Sequence, residues 1–469
     1  MGYATVTRPL TGRLPPAFRT ENSRGDRNCQ KEKGLTRFLC YALYAYFGLM
    51  VLHIPLIQGP KDDFVGVFDF LCVAVILGIF FADKGLRKNV LKKSPFAAIA
   101  WAYSIFLVYI LLKEPLQSPW GAPLLDSYLI ALLLKQVQYI FFFFVALYAL
   151  VNFETIYRNF NLIIMINLGI ILGFGIYMLF FDRTWYRLGI PYKVGVSSNP
   201  AGVIISMSVI ILVYRFSSSM RRLGGMERVL YLSAILSGLV ALYFTESRTN
   251  GILLHIFIAL MAVFTRGNSK SSVAVFVAAV FLSFVLFNAF YSESTLKDQA
   301  RFSTPTTGYA EYILDPEKAY TYSSFKARLN AWNGKFRRLG EDWTAVIVGR
   351  GLRAATSIDS VYVRMLSNHG IVGLLLFLRV YIAMLAASKG LLSKLCIFYL
   401  LANAITMDTL VVSWRTMQVA IPLVCYSLIF DGKLHETPVA RWMVGASRQG
   451  QEGVPTAMRR IPAGNSQFD

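Results

Sequence analysis

Runs of about 18 or more apolar residues recur along the whole chain, and they restrict its fold more than any other feature. Soluble proteins rarely contain even one such run, and the mean hydropathy of +0.51 and the charged fraction of 16% agree with a membrane environment. The sequence therefore predicts an all-α polytopic integral membrane protein. We predict about twelve spans (the defensible range is about ten to thirteen) at 37–56, 64–82, 95–113, 128–151, 160–181, 199–215, 229–245, 249–265, 272–290, 368–387, 391–407 and 413–430.

The net charge of +21 is explained by where the basic residues lie. Arginine and lysine are dense before the first predicted span, between the second and third, and after the sixth, whereas the short segments on the other side hold single charges such as Lys61 and Lys113. This alternation is the positive-inside pattern, and it places both termini in the cytoplasm. The charge thus indicates orientation in a membrane, and it gives no reason to predict a nucleic-acid partner.

The predicted spans and the polar segments divide the chain into five parts. A basic cytoplasmic tail (1–36) precedes about nine spans (37–290), which are followed by a large outer loop (291–357), the remaining spans (358–430) and a second cytoplasmic tail (431–469). The first tail has the composition of a disordered, lipid-facing segment, and the first span is typical of a retained signal anchor.

The large outer loop is the one segment with the length and polarity to form structure outside the lipid. It runs for about 66 residues from Tyr291 to Thr356, and none of the five cysteines of the chain lies in it, so no disulfide closes it. Long loops are largely exempt from the orientation rule, so its lysines and arginines favour an anionic ligand. Residues 323–339 have the spacing of an amphipathic surface helix with short steps between apolar positions, namely Phe325, Leu329, Trp332 and Phe336.

Arginines at three places on the outer face are candidates for binding phosphate oxygens, because guanidinium groups bind them bidentately. They are Arg187, Arg248 and Arg350, the last flanked by Gly349 and Gly351 in a turn that permits close backbone approach. Contact with lipid headgroups is an alternative for Arg187. A structural ion pair is an alternative for Arg248, since Glu246 is its near neighbour.

Asp359 lies at the predicted boundary between the outer loop and the tenth span, with Tyr362 one helical turn further on. A carboxylate at the membrane surface beside arginines has the chemistry of a general base for a hydroxyl nucleophile. A salt-bridged structural carboxylate is an equal alternative. His369, directly before the predicted span, is a further candidate for the same site.

The sequence gives no indication of a bound metal or nucleotide cofactor. Neither the cysteines nor the four histidines have metal-ligand spacing, and phosphate-binding loops of the Walker type and zinc-protease motifs are absent from the sequence. We therefore predict neither a metal nor a cofactor.

Taken in order, these segments resemble the bacterial O-antigen ligase and polymerase superfamily, whose members build surface polysaccharide on lipid carriers. The resemblance covers residues 183–388. It rests on a fixed order of short motifs, which are Arg187-Leu188-Gly189 leading to Asn199-Pro200, then Ser247-Arg248, then Arg328 with Trp332, and finally Gly349, Gly351, Asp359-Ser360, Tyr362 and Gly370-Ile371-Val372-Gly373.

Two positions depart from the pattern of that superfamily. Asparagine usually follows the Asn-Pro pair, and here the residue is Ala201. Ligases of the superfamily typically carry histidine where this chain has Asp359, whereas polymerases often carry aspartate. The resemblance therefore favours a repeat-unit polymerase over an O-antigen ligase.

The resemblance implies metal-independent glycosyl transfer on the periplasmic face of the bacterial inner membrane. Both substrates would be oligosaccharides on undecaprenyl pyrophosphate, with membrane lipid, a chain-length regulator and export proteins as further partners. We assign Asp359 and Arg248 as catalytic residues. We assign the binding of pyrophosphate and glycan to Arg187, Arg328, Arg350, Tyr362 and Trp332.

Three other functions remain open at this point. An O-antigen ligase would perform the same chemistry with lipid A-core as the acceptor. A transporter that flips lipid-linked oligosaccharide would be expected to show internal repeats and paired charges near the middle of the membrane, which the sequence lacks. A non-catalytic assembly scaffold would tolerate loss of Arg187, Arg248 and Asp359.

Overall fold

The structure is a computed structural model of the whole chain. It describes residues 26–52, 55–58, 63–82, 95–117, 127–181, 198–220, 223–245, 247–264, 277–278, 281, 323–352, 360–406 and 414–431.

The described part of the chain is helical apart from one short hairpin. In chain order the elements are α1 (Asp26–Gly48), β1 (Pro55–Gln58), β2 (Asp63–Gly66), α2 (Val67–Ala82), α3 (Pro95–Gln117), α4 (Ser127–Asn152), α5 (Glu154–Phe181), α6 (Ser198–Ser219), α7 (Gly225–Phe244), α8 (Arg248–Phe264), α9 (Ser323–Gly340), α10 (Trp343–Val348), α11 (Val361–Ala387), α12 (Leu391–Thr406) and α13 (Trp414–Asp431). The strands β1 and β2 pair antiparallel, with Ile57 opposite Val65.

Five of the described helices are long and apolar enough to cross a membrane. They are α3, α5, α6, α7 and α11, and shorter apolar helices lie within α2, α4, α8, α12 and α13. This is the architecture of a helical membrane protein.

Helix α6 lies at the centre of the bundle. About 78% of its span is buried, against 33–44% for the other four long apolar helices. It packs against α5, α7, α8, α12 and α13, and the side chains from Ala201 to Val213 are almost completely enclosed. A helix that is apolar on all sides and enclosed by others forms the core of a bundle.

The outer helices keep large apolar side chains on the surface of the bundle. Trp101 of α3 is 62% exposed and Leu375 of α11 is 60% exposed, and similar side chains recur along α2, α7 and α8. Apolar surface on the outside of an apolar bundle is expected where lipid is the solvent.

At the end of the bundle opposite α9, the turn between α11 and α12 closes around the last residue of α13. The carboxylate of Asp431 accepts hydrogen bonds from the backbone N–H and the hydroxyl of Ser393, at 2.6 and 3.0 Å. Gly390 allows this approach, because a Cβ atom there would lie 2.2 Å from Cγ of Asp431. The side chain of Asp431 thus ties three helices together.

Helices lie at the positions of eleven of the twelve predicted spans, but only five are long and apolar enough to cross a membrane, so the number of spans stays a prediction; the ninth predicted span (272–290) lies almost entirely outside the described residues. Several helix boundaries differ from the predicted ones, among them the end of α1, which lies at Gly48 and not at residue 56. Helix α1 begins at Asp26, inside the predicted disordered tail; α5 begins at Glu154, where a salt bridge to Arg158 supports its first turn; and α11 begins at Val361. The β1–β2 hairpin was not predicted, since two four-residue strands are too short to show periodicity.

Replacing Gly390 by alanine tests the closure around Asp431. The new methyl group would displace the carboxylate from Ser393, and we expect a loss of about 1–3 kcal/mol in the free energy of unfolding. Thermal unfolding of the purified protein in detergent measures it. Gly251→Ala is the matched control, because no atom lies within 4 Å of a Cβ at Gly251. Equal melting temperatures for the two variants would contradict the assignment.

Candidate functional site

The turn that follows α10 is docked against a break in α11. Backbone N–H groups of Arg350 and Gly351 donate to the carbonyl oxygens of Ser367 and Asn368, at 2.9 and 3.0 Å. These bonds join two parts of the chain that the sequence pattern had placed in one motif. The turn (Gly349–Leu352) is called the docked turn below.

Two glycines make this docking possible. Gly349 and Gly370 have φ values of 78° and 66°, in the region that favours glycine. A Cβ atom at Gly349 would lie 2.3 Å from backbone atoms of Asn368, and one at Gly370 would lie 2.2 Å from the carbonyl oxygen of Ile347. The close approach that the sequence predicted toward a ligand is here an approach between two backbone segments.

The end of α3 fixes the position of the docked turn through a buried carboxylate. Both oxygens of Glu114 accept the backbone N–H of Leu352, at 3.1 and 3.0 Å. Lys113 lies 3.5 Å from the same carboxylate and donates to the backbone carbonyl of Asn368. Both side chains are almost fully buried, so the pair links α3, the docked turn and α11 without access to water.

His369 belongs to this buried cluster. Its Nδ1 atom lies 3.3 Å from Nζ of Lys113, and its ring packs edge-on against Phe106. Because an ammonium group can only donate, Nδ1 accepts from Lys113 in the tautomer that carries its proton on Nε2. The hydroxyl of Tyr109 donates to the carbonyl of His369 at 2.8 Å. His369 is 1% exposed, so its side chain lies inside the protein.

The arginine of the docked turn reaches the last turn of α9. One guanidinium nitrogen of Arg350 donates to the backbone carbonyl of Arg338, and the side chain is otherwise exposed. Arg350 therefore caps the C-terminal end of the surface helix while keeping donors available to a ligand.

Cations gather at that end of α9. Partial burial, and then the charges of Arg338 and Arg350, lower the pKa of Lys335. Close by, a hydrogen bond from Thr344 lowers the pKa of Asp342, whose carboxylate caps the start of α10. Like charges held together in this way favour the binding of an anion.

Trp332 and Tyr362 take different roles. Trp332 of α9 packs against Val363 of α11, and its indole nitrogen has no hydrogen-bond partner among the described residues. The hydroxyl of Tyr362 donates to the carbonyl of Leu401 at 2.9 Å, so it ties α11 to α12. The Tyr362 hydroxyl is therefore bonded within the bundle, although the sequence analysis assigned Tyr362 to the substrate.

The backbone around Arg248 is held by a buried polar network. Asn250 donates to the hydroxyl of Ser247 and accepts from that of Tyr399, both at 2.7 Å. Gly202 of α6 lies so close that a Cβ atom there would be 2.4 Å from the Asn250 amide nitrogen. The first turn of α8, which begins at Arg248, is thus fixed in position.

Several predicted site residues fall outside the part of the chain that the structure describes. Arg187 and Asp359 do so entirely, and the side chains of Arg248 and Arg328 do so although their helices are described. Ser360, directly after Asp359, is buried and caps the start of α11. The described residues contain no group of three or more histidine, cysteine or carboxylate side chains that could hold a metal ion.

Sequence reasoning missed Glu114, Arg364 and the structural role of Lys113. Lys113 was treated as a single charge in a short outer segment, and only the structure shows that Lys113 and Glu114 are both buried at the end of α3. Arg364 is only 5% exposed, and no short motif marked it.

Gly349→Ala should loosen the docked turn, because the new Cβ would meet the backbone of Asn368 and the backbone would be strained by about 1–3 kcal/mol. We expect faster amide hydrogen exchange at Arg350 and Gly351, measured by mass spectrometry. Gly334→Ala is the control, since that α9 position has open space around it. Unchanged exchange at both amides in the Gly349 variant would show that the docking is wrong.

The Lys113–Glu114 pair can be tested with a double-mutant cycle. Lys113→Met and Glu114→Gln each leave a buried charge without its partner, and each should cost about 3–5 kcal/mol of stability. The double variant removes both charges and keeps an acceptor for Leu352. We expect a coupling energy of about 1 kcal/mol or more from thermal unfolding, and strictly additive effects would contradict the pairing.

A scan against protein-family models and a search of curated proteins found no match for this chain. The resemblance to the O-antigen ligase and polymerase superfamily therefore stays a prediction from the residues.

Proposed function

We propose that this protein is a glycosyltransferase that polymerises oligosaccharide repeat units carried on undecaprenyl pyrophosphate. The product would be O-antigen, capsule or exopolysaccharide. The reaction would take place on the periplasmic face of the bacterial inner membrane and would need no metal ion.

The observation that carries this proposal is the contact between the docked turn and the break in α11. Gly349 and Gly351 precede Gly370 by 21 and 19 residues in the sequence. Gly349 lies against the backbone of Asn368, and Gly370 lies against the backbone of Ile347. That contact holds Arg350 next to the helix whose start follows Asp359. A cation held against the helix that begins after Asp359 suits a reaction between two lipid-borne substrates.

The proposed topology has about twelve spans, both termini in the cytoplasm, and the loop at 291–357 in the periplasm. The amphipathic helix predicted within that loop corresponds to α9, which contacts α10 and α11. The buried pair at the end of α3 and the first turn of α8 belong to span ends on the periplasmic side in this topology.

The chemistry is a direct displacement at the anomeric carbon of the donor sugar. The bond from this carbon to the pyrophosphate oxygen breaks as the acceptor oxygen bonds to it, with inversion. The acceptor hydroxyl gives its proton to Asp359. Charge develops on the departing pyrophosphate, where Arg187 and Arg248, with Arg328 or Arg350, would stabilise it. Trp332 would contact the glycan, whereas the hydroxyl of Tyr362 is already bonded between α11 and α12.

The test is the surface-polysaccharide profile of a null strain complemented with the wild-type gene, Arg248→Ala or Asp359→Ala. We expect both variants, at normal membrane levels, to leave only single-repeat product, which corresponds to a loss of at least about tenfold in polymer. Arg158→Ala is the control, since that exposed residue pairs with Glu154 far from the site.

Other outcomes reject the proposal in distinguishable ways. Polymer that accumulates on the carrier lipid without transfer to the core would indicate an O-antigen ligase. A normal ladder from both variants would remove the assigned catalytic residues and favour a transporter of lipid-linked oligosaccharide or a scaffold.

A further inference from the structure

Arg215, near the end of α6, is partly buried against an aromatic ring of a neighbouring helix. Its guanidinium carbon lies 4.3 Å from the centre of the Phe430 ring, which belongs to α13. The Nε atom of Arg215 is buried and has no hydrogen-bond partner among the described residues. A cation–π contact offsets part of the cost of burying a guanidinium group, but it does not satisfy the N–H donors. Arg215 therefore has donors left for a ligand.

Aromatic side chains from three helices surround this guanidinium group. The charge of Arg215 acts on the hydroxyl groups of Tyr157 in α5, Tyr231 in α7 and Tyr426 in α13. The ring of Tyr426 packs against Tyr157 and Phe430, with centroids 5.8 and 6.2 Å apart. These contacts hold the rings in place around the cation. The five residues together are called the Arg215 site.

The Arg215 site reaches the surface at the end of the bundle opposite α9. Phe430 directly precedes Asp431, whose carboxylate closes that end of the bundle. Arg215, Tyr157 and Phe430 are each partly exposed, so the site is open to a ligand from outside the protein. In the proposed topology this end of the bundle is cytoplasmic.

Arg228 of α7 supplies a second cation at the same end. It is exposed and lies three residues before Tyr231, so the two side chains share one face of α7. Its Nε atom donates to the carbonyl oxygen of Leu223 at 3.1 Å, which leaves the terminal nitrogens for a ligand. Two guanidinium groups at one end of the bundle have the donors that a phosphate group accepts.

The acids of the surrounding helices are engaged elsewhere. The described parts of α5–α7, α12 and α13 contain three carboxylates, and each has a partner other than Arg215. They are Glu154, which pairs with Arg158 at 2.6 Å, Glu227, which accepts the N–H of Gly224 at 2.9 Å, and Asp431, which accepts the N–H of Ser393 at 2.6 Å. The charge of Arg215 therefore favours an anion that comes from outside the chain.

The surface beside Arg228 is apolar and exposed. Met226, Val229 and Leu230 of α7 are 75%, 58% and 50% exposed, as expected for side chains that contact lipid. A ligand that combines an anionic head with apolar chains would contact the cations and this surface at the same time. Basic sites between membrane helices on the cytoplasmic side are typical binding sites for anionic lipid headgroups.

We propose that the Arg215 site binds the phosphate group of an anionic phospholipid from the cytoplasmic leaflet. Arg215 and Arg228 bind the phosphate oxygens, and the acyl chains lie along the apolar surface of α7. The site lies at the opposite end of the bundle from the candidate functional site. The proposal is thus independent of the proposed glycosyl transfer.

Lipid binding is measured by native mass spectrometry of the full chain in detergent. The probes are dioleoylphosphatidylglycerol, which is anionic, and dioleoylphosphatidylcholine, which has the same chains and no net charge. We expect the anionic lipid to bind at least about tenfold more tightly. Arg215→Gln should remove most of that preference, and Arg228→Gln should weaken the binding of the anionic lipid several-fold.

Arg158→Gln is the matched control, because it removes an exposed positive charge that pairs with Glu154 at the same end of the bundle. Thermal unfolding of each variant shows that it is folded; if Arg215→Gln is not, the comparison rests on Arg228→Gln and on the two lipids. Equal binding of the two lipids, no measurable binding of either, or an equal loss in Arg158→Gln overturns the proposal. Displacement of the anionic lipid by equimolar glycerophosphoglycerol, its headgroup without chains, also overturns it, since the site would then serve a soluble phosphate.

Discussion

The candidate site depends on the hydrogen bond between the buried carboxylate of Glu114 and the backbone N–H of Leu352. Helices in lipid gain little from hydrophobic burial against one another, so close packing and buried polar contacts determine how they fit together. Glu114 accepts the N–H of Leu352, and Lys113 beside it reaches the backbone of α11, so one pair of residues joins a membrane helix to two segments distant in sequence. The docked turn, the break in α11 and the position of Arg350 all follow from that junction.

Two glycines, Gly349 and Gly370, also take part in the contact between the docked turn and α11. In most of the bundle, side chains set the distance between helices, but at Gly349 and Gly370 the backbones themselves are in contact. At Gly202 the nearest atoms are those of Asn250, which carries hydrogen bonds to Ser247 and Tyr399. In both places a residue without a side chain allows polar groups to be buried with their partners, as a low-dielectric interior requires.

Much of the helical framework could be predicted from apolar run length, since α3, α4 and α12 lie within a few residues of the predicted positions. Helix α9 could be predicted because its apolar residues follow helical spacing. The contacts of the site could not. The sequence around Glu114 does not show that its carboxylate binds the N–H of Leu352, because this contact depends on how α3 packs against α11. The early start of α11 was missed because Ser360 caps it inside a polar stretch. The burial of His369 could not be predicted, because a single polar residue next to a span fits the surface and the interior equally well.

The non-helical backbone at Gly370 divides α11 into two helical segments that have different contacts. The longer segment (371–387) carries Phe377 and Tyr381 and packs among the bundle helices. The shorter segment (361–369) contacts the docked turn and Trp332. The shorter segment is also tied to α3, because Lys113 donates to the carbonyl of Asn368 and Tyr109 to that of His369. Its direction is consequently set by these contacts and not by the axis of the membrane-spanning segment below it.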